Sequence, residues 1–178
     1  MHGYNERCVM TENNDEHAPM VRPLRLVFCA IFVLIVLADQ ATKQVMLDLI
    51  FDPPRRIEIL ATFNLVPVWN RGMSFGMLAG GGALVPIALT SLAIAVSAWL
   101  FWMVPRLHRL QRLAAACIAG GAIGNAIDRL RFGKVVDFID LHYAGLHWPA
   151  FNLADAAITI GAVLWGYSIL REQETSRI

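Results

Sequence analysis

Two apolar, membrane-length segments meet at a cluster of acids, amides and one arginine between Gly120 and Asp155, reading GGAIGNAIDRLRFGKVVDFID, a short aromatic loop, then FNLADAAITIG. Asn125, Asp128 and Arg129 follow an i, i+3, i+4 spacing and so share a helical face. In KVVDFID a strand sets Val135, Asp137 and Ile139 on one face and Val136, Phe138 and Asp140 on the other. One of Asp137 and Asp140 therefore faces the cluster, and spacing alone does not choose between them. Asn152 fits the cap of the following segment. Asp155 falls inside its first turn, where a helix N-terminus favours the ionised form and suits a general base. Ionisable groups at the ends of membrane-length segments are costly, so they are functional candidates. Two carboxylates held close together share a proton. One then activates water while its partner donates a proton, which is aspartic-protease chemistry and needs no metal or other cofactor. A structural ion-pair network is the plainer account of the same acids. His142 and His147 lie in the connecting loop, but there is no HExxH, GxSxG or GxxxxGK[ST] pattern.

The elements that must position these groups are membrane spans. Of 178 residues 57% are apolar and 16% charged, against about 25% charged in soluble domains. The mean hydropathy is +0.52. The chain is read as an integral membrane protein, mainly α, with four transmembrane helices and a small extracytoplasmic β-cradle and flap. Spans are expected at about 24–48, 83–104, 113–130 and 153–170. Residues 1–23 read as a polar, disordered extension and 171–178 as a charged cytoplasmic tail. The net charge of +1 offers nucleic acid nothing. Cys8, Cys29 and Cys117 are scattered and form no disulfide framework or thiol site.

Asp39 and Lys43 are four apart at the end of the first span. They form either an interfacial ion pair or a buried brace for a site. The loop 51–82 carries short alternations, Ile57/Ile59 and Phe63/Leu65, that suggest strands. Phe63, Trp69 and Phe75 are expected at headgroup level, with a glycine-containing flap after Asn70. Asn70 caps a turn or presents an amide to a substrate backbone. Gly120-x-x-x-Gly124 allows close helix packing. Arg106, Arg109 and Arg112 lie in a short acid-free loop, which is assigned to the cytoplasm. Four spans then put both termini on that side and both long loops, 51–82 and 131–152, on the other. A proton relay or transporter would need its carboxylates at mid-membrane depth, whereas here they fall near span ends. A non-enzymatic scaffold built on the GxxxG helix would tolerate loss of Asp137 and Asp155.

Four stretches carry a resemblance. DQATK (39–43), NRGMSFG (70–76), GNAIDRLRFGKVVDFID (124–140) and FNLADAAI (151–158) resemble, in order, the motifs of lipoprotein signal peptidase, or signal peptidase II, over residues 24–170. The resemblance implies a multi-pass aspartyl endopeptidase of the bacterial inner membrane with its site at the extracytoplasmic face. Its substrates would be diacylglyceryl-modified prolipoproteins, cut before the lipidated cysteine, and its partners membrane lipids and the inhibitor globomycin. It implies Asp137 and Asp155 as the catalytic pair and sets Asp140 aside. Asn70, Asn125, Arg129 and Asn152 match substrate-contacting positions. Asp39, Lys43, Gly72, Gly124 and Asp128 match supporting ones.

Overall fold

A computed structural model of the chain describes residues 18–72 and 84–175. The tail 1–17, residues 73–83, on which the expected flap falls with Phe75 and the glycines at 80–82, and residues 176–178 lie outside the described residues. Four helices are long and apolar enough to cross a membrane: α1 (Ala18–Ile50), α2 (Leu84–Met103), α3 (Arg109–Phe132) and α4 (Leu153–Thr175). A four-stranded antiparallel sheet, in the order β1 (Ile57–Leu60), β2 (Phe63–Asn70), β3 (Val135–Tyr143) and β4 (Leu146–His147), is built from the two long connections. The mainly helical membrane fold with a small sheet is therefore the one the hydropathy pattern and alternations predict.

Element boundaries differ from the expected ones in three places. The first helix starts at Ala18, inside the stretch read as a disordered extension. The loop between α2 and α3 is shorter than predicted, because Arg109 and Arg112 belong to the first turn of α3. The Gln111 side chain accepts a hydrogen bond from the His108 backbone N–H at 3.2 Å and fixes that helix start. Finally, α4 continues through Arg171 and Glu172 to Thr175, beyond the expected end of the span at 170.

The third helix is the least apolar of the four and the most enclosed. Its alanines and glycines allow both neighbours close, which substitutes for side-chain bulk in a bilayer. A Cβ on Gly120 would stand 2.9 Å from Cβ of Ile35 on α1. One on Gly121 would collide with the Ala154 carbonyl of α4. At one end of the bundle Phe28, Leu100, Val104, Leu107 and Ala115 form an apolar cluster. At the other, Ile50, Val136 and Phe138 pack beneath the sheet. Gly133 ends α3 in a left-handed conformation (φ 67°), a common helix stop, and the chain turns directly into β3. Trp69 sits at this end between Phe51 and Phe132, with ring centroids at 5.0 and 5.5 Å.

Pairing of β2 with β3 sets Val68 opposite Asp137 and Asn64 opposite Asp140. The register slips between Leu65 and Val68, where Pro67 has no N–H to donate. Beyond β3 the chain returns so that Phe151 and Ile139 exchange backbone hydrogen bonds of 2.8 and 3.1 Å. That return holds the start of α4 beside the strand carrying Asp137.

Substitution tests the helix packing. Gly121→Ala is expected to destabilise by about 1–3 kcal/mol through the forced shift of α4. Gly166→Ala, where a Cβ meets nothing, should be neutral or stabilising by up to about 1 kcal/mol from helix propensity. Unfolding midpoints in detergent measure both, and equal midpoints would disprove the close-packing account.

Candidate active site

The site lies where the sheet meets the ends of α1, α3 and α4. Asp137 is fully buried on β3. Its Oδ1 accepts from Asn152 Nδ2 at 2.7 Å and its Oδ2 from Asn70 Nδ2 at 2.9 Å. Asn70 also accepts the backbone N–H of Gly72 at 2.8 Å, so it makes the turn and holds the carboxylate at once. Gly72 has φ 90°, a conformation glycine adopts without strain.

Asp155 is half-buried in the first turn of α4. Asn152 and Asp155 cap each other: Asn152 Oδ1 accepts Asp155 N–H at 3.0 Å, and Asp155 Oδ2 accepts Asn152 N–H at 3.3 Å. Asn125 Nδ2 donates to the remaining oxygen, Asp155 Oδ1, at 2.7 Å. Asn152 Nδ2 also reaches Asn125 Oδ1 at 3.1 Å. Asn152 therefore joins both carboxylates, and the capping role expected of it coexists with that bridge.

Beneath them is a buried triad. Lys43 Nζ lies 2.9 Å from Asp39 Oδ2, 2.9 Å from Asp128 Oδ2 and 2.9 Å from Asn125 Oδ1, which uses all three ammonium donors. Asp39 and Lys43 are thus the buried brace rather than an interfacial pair. Asp128 pairs with Lys43 and not with its neighbour Arg129. Each carboxylate of the triad also accepts a backbone N–H: Asp39 from Ala154 at 2.9 Å and Asp128 from Val136 at 3.0 Å. These amides immediately precede Asp155 and Asp137. Gly124 leaves room for Asp39, whose carboxylate occupies the place of a Cβ.

Gln40 went unassigned in the sequence reading. Its Nε2 contacts Asp128 Oδ1 at 3.0 Å, Gly124 O at 3.1 Å and Asp39 Oδ2 at 3.2 Å. Its place inside DQATK was the available signal. Arg129 donates from Nη1 to Asn125 O at 3.4 Å, and its buried Nε has no hydrogen-bond partner among the described residues. Its charge acts on Asp155, Asp137 and Asp128.

Asp140 stands apart on the other face of β3. It accepts from Asn64 Nδ2 at 2.8 Å and lies 2.7 Å from His147 Nδ1. Burial pushes its acidity toward the neutral form, but the His147 and Asn64 hydrogen bonds outweigh it and hold the group below the usual carboxylate range. Asp137 behaves oppositely. Burial raises it, Asn70 and Asn152 oppose the rise, Asp155 adds to it, and the group is pushed up to about 7. Two carboxyls on one strand thus differ in acidity, and only Asp137 is raised toward neutral pH, as suits acid/base work.

A family model described as Signal peptidase (SPase) II matches residues 31–171. The chain belongs to the signal peptidase II family. A lipoprotein signal peptidase of Paraburkholderia phymatum is 44% identical over 148 residues, covering 82% of this chain and 88% of that one. One of Burkholderia thailandensis is 43% identical over 149 residues, covering 83% and 89%. Two solved structures described as a bacterial membrane enzyme superpose with TM-scores of 0.71 and 0.68 at 27% and 28% identity. They cover 84% and 81% of this chain, and 90% and 92% of their own. Membership in the signal peptidase II family makes the chain a peptidase, and its four apolar helices make it a multi-pass membrane one.

Two measurements probe the site. Lys43→Met leaves Asp39 and Asp128 buried without their cation and should cost about 3–5 kcal/mol of stability. An unfolding midpoint equal to wild type would remove the triad from the fold's supports. The second concerns pH. The folded chain holds Asp137 neutral up to about 7, while the unfolded chain ionises it near 3.8. Stability from this group is full below the unfolded value and is lost as pH rises through about 7. Between about pH 4 and pH 8 wild type should lose on the order of a few kcal/mol more than Asp137→Asn. Parallel stability profiles would contradict the shift.

Proposed function

We propose that the protein is an aspartyl endopeptidase that removes the signal peptides of diacylglyceryl-modified prolipoproteins, cutting before the lipidated cysteine. What supports this reading is the bridge of Asn152 to both Asp137, on β3, and Asp155, in the first turn of α4. The lipid tails of such a substrate stay in the bilayer, so its scissile bond must be met at the membrane surface. Curated relatives named lipoprotein signal peptidase support the substrate class.

Asp137 and Asp155 are the catalytic pair and hold one proton between them near neutral pH. Asp155, the more exposed carboxylate, takes a proton from water as the oxygen attacks the carbonyl carbon. Asp137 gives its proton to the carbonyl oxygen. Collapse of the tetrahedral intermediate breaks the C–N bond, and the amine of the lipidated cysteine leaves with a proton returned by the dyad. Arg129, Asn125 and Asn70 hold the peptide beside the sheet. Asp39, Lys43, Gly72, Gly124 and Asp128 support the arrangement without touching substrate.

The basic end of the bundle, with Arg106, Arg109 and Arg112, faces the cytoplasm. Both termini lie on that side of the bacterial inner membrane, and the carboxylates lie at the extracytoplasmic face. Residues 24–170 act as one peptidase unit whose first helix begins earlier, at Ala18, and globomycin is the expected inhibitor.

The test is cleavage of a diacylglyceryl prolipoprotein by purified protein in detergent. Asp137→Asn and Asp155→Asn should each lose about 10²–10⁴-fold in rate while remaining folded. Asp140→Asn should retain the rate, since that carboxylate is engaged elsewhere. Full activity in folded Asp137→Asn would refute the dyad, and a chelator-sensitive rate would replace it with metal chemistry.

A further inference from the structure

A groove of about 1080 Å³ opens at the opposite end of the bundle, where α1, α3 and α4 part. Arg112 on its rim is sixteen residues from Asp128 on the same helix, about 24 Å along the axis. The groove is therefore separate from the carboxylate site. Its floor is apolar, with Leu24, Val27 and Ile31 from α1 and Leu113 from α3. Its mouth carries Arg109, Arg112 and Arg171. Arg112 donates to the Leu107 carbonyl, which anchors its guanidinium at the rim. Arg109 is exposed and has no ion pair among the described residues. The one acid in the lining, Glu172, is occupied by Gln111 Nε2 at 3.0 Å and Ser168 Oγ at 3.2 Å, with His108 Nε2 at 3.8 Å.

We propose that this groove binds a bilayer phospholipid with an anionic headgroup, its phosphate on Arg109 and Arg112 and an acyl chain along Leu24, Val27 and Ile31. Three features select that occupant. The floor belongs to helices that span the membrane, so hydrocarbon chains are its solvent. The described charges at this end are Arg25, Arg106, Arg109, Arg112 and Arg171 against Glu172 and Glu174, an excess of cation. Basic pockets between spans suit anionic lipid headgroups, and guanidinium pairs well with phosphate. The positively charged start of a signal peptide meets the same arginines with repulsion.

The probe is full-length protein in nanodiscs of equal phosphatidylglycerol and phosphatidylcholine, released into native mass spectrometry. Wild type should retain phosphatidylglycerol with about tenfold enrichment over phosphatidylcholine. Arg109→Gln/Arg112→Gln should lose that enrichment. Arg112 also braces the loop, so Arg109→Gln alone is measured beside it, with unfolding midpoints checking that each variant is folded. Arg109→Gln should reduce the enrichment severalfold. No enrichment in wild type, or undiminished enrichment in folded variants, would overturn the assignment. A photoreactive residue at Val27 should label lipid. Labelling of residues 1–17 instead would give the groove to the chain's own N-terminus and overturn it as well.

Discussion

Lys43 is the point on which the arrangement depends. A buried ammonium must have partners for all its donors, and it finds them on Asp39, Asp128 and Asn125. Those groups come from α1 and α3. Asp39 and Asp128 in turn reach the backbone amides of Ala154 and Val136, at the start of α4 and of β3. A single cation thus ties four elements together through charge-assisted hydrogen bonds. The amides chosen sit one residue before Asp155 and Asp137. Any drift of those elements would break a buried, charged bond, and this holds the two carboxyls in place without either being part of the ion-pair network.

Above that base the amides do a different task. Asn152, Asn125 and Asn70 donate to the carboxyl pair without neutralising it. Neutral donors orient oxygens without compensating a carboxylate charge, as an arginine or lysine in direct contact would. Burial can therefore raise Asp137 to about 7. Asp140, three residues along the same strand, has a histidine partner and the opposite tendency. One strand supplies two carboxyls of opposite character because its alternation sends them to different faces.

The two ends of the bundle divide the chemistry. Small residues along α3 bring α1 and α4 close near the carboxyls, where Gly121 and Gly124 leave no spare volume. At the other end the same three helices part around an apolar groove rimmed by arginine. Close packing of α3 on α4 is not confined to the carboxyl end, since a Cβ on Gly161 would stand 2.7 Å from the Ala114 carbonyl.

Much of this was legible in the chain. Long uncharged runs such as 83–104 read as spans, since a backbone in lipid must satisfy itself, and the alternations at 57–65 suggest strands. The i, i+4 spacing of Asp39 and Lys43 showed that they could meet, but not that they would be buried. Residue spacing reports neighbours on one element, and the partners that decide their state, Asp128, Asn125 and Ala154, arrive from two others. For the same reason Gln40 was passed over and Asp137 could not be told from Asp140 by spacing. Hydropathy, alternation and motif spacing suffice for the spans, the strands and the cluster of residue types. Which carboxyl is desolvated and which is paired emerges only in the folded protein, because burial and charge compensation are properties of the assembled environment.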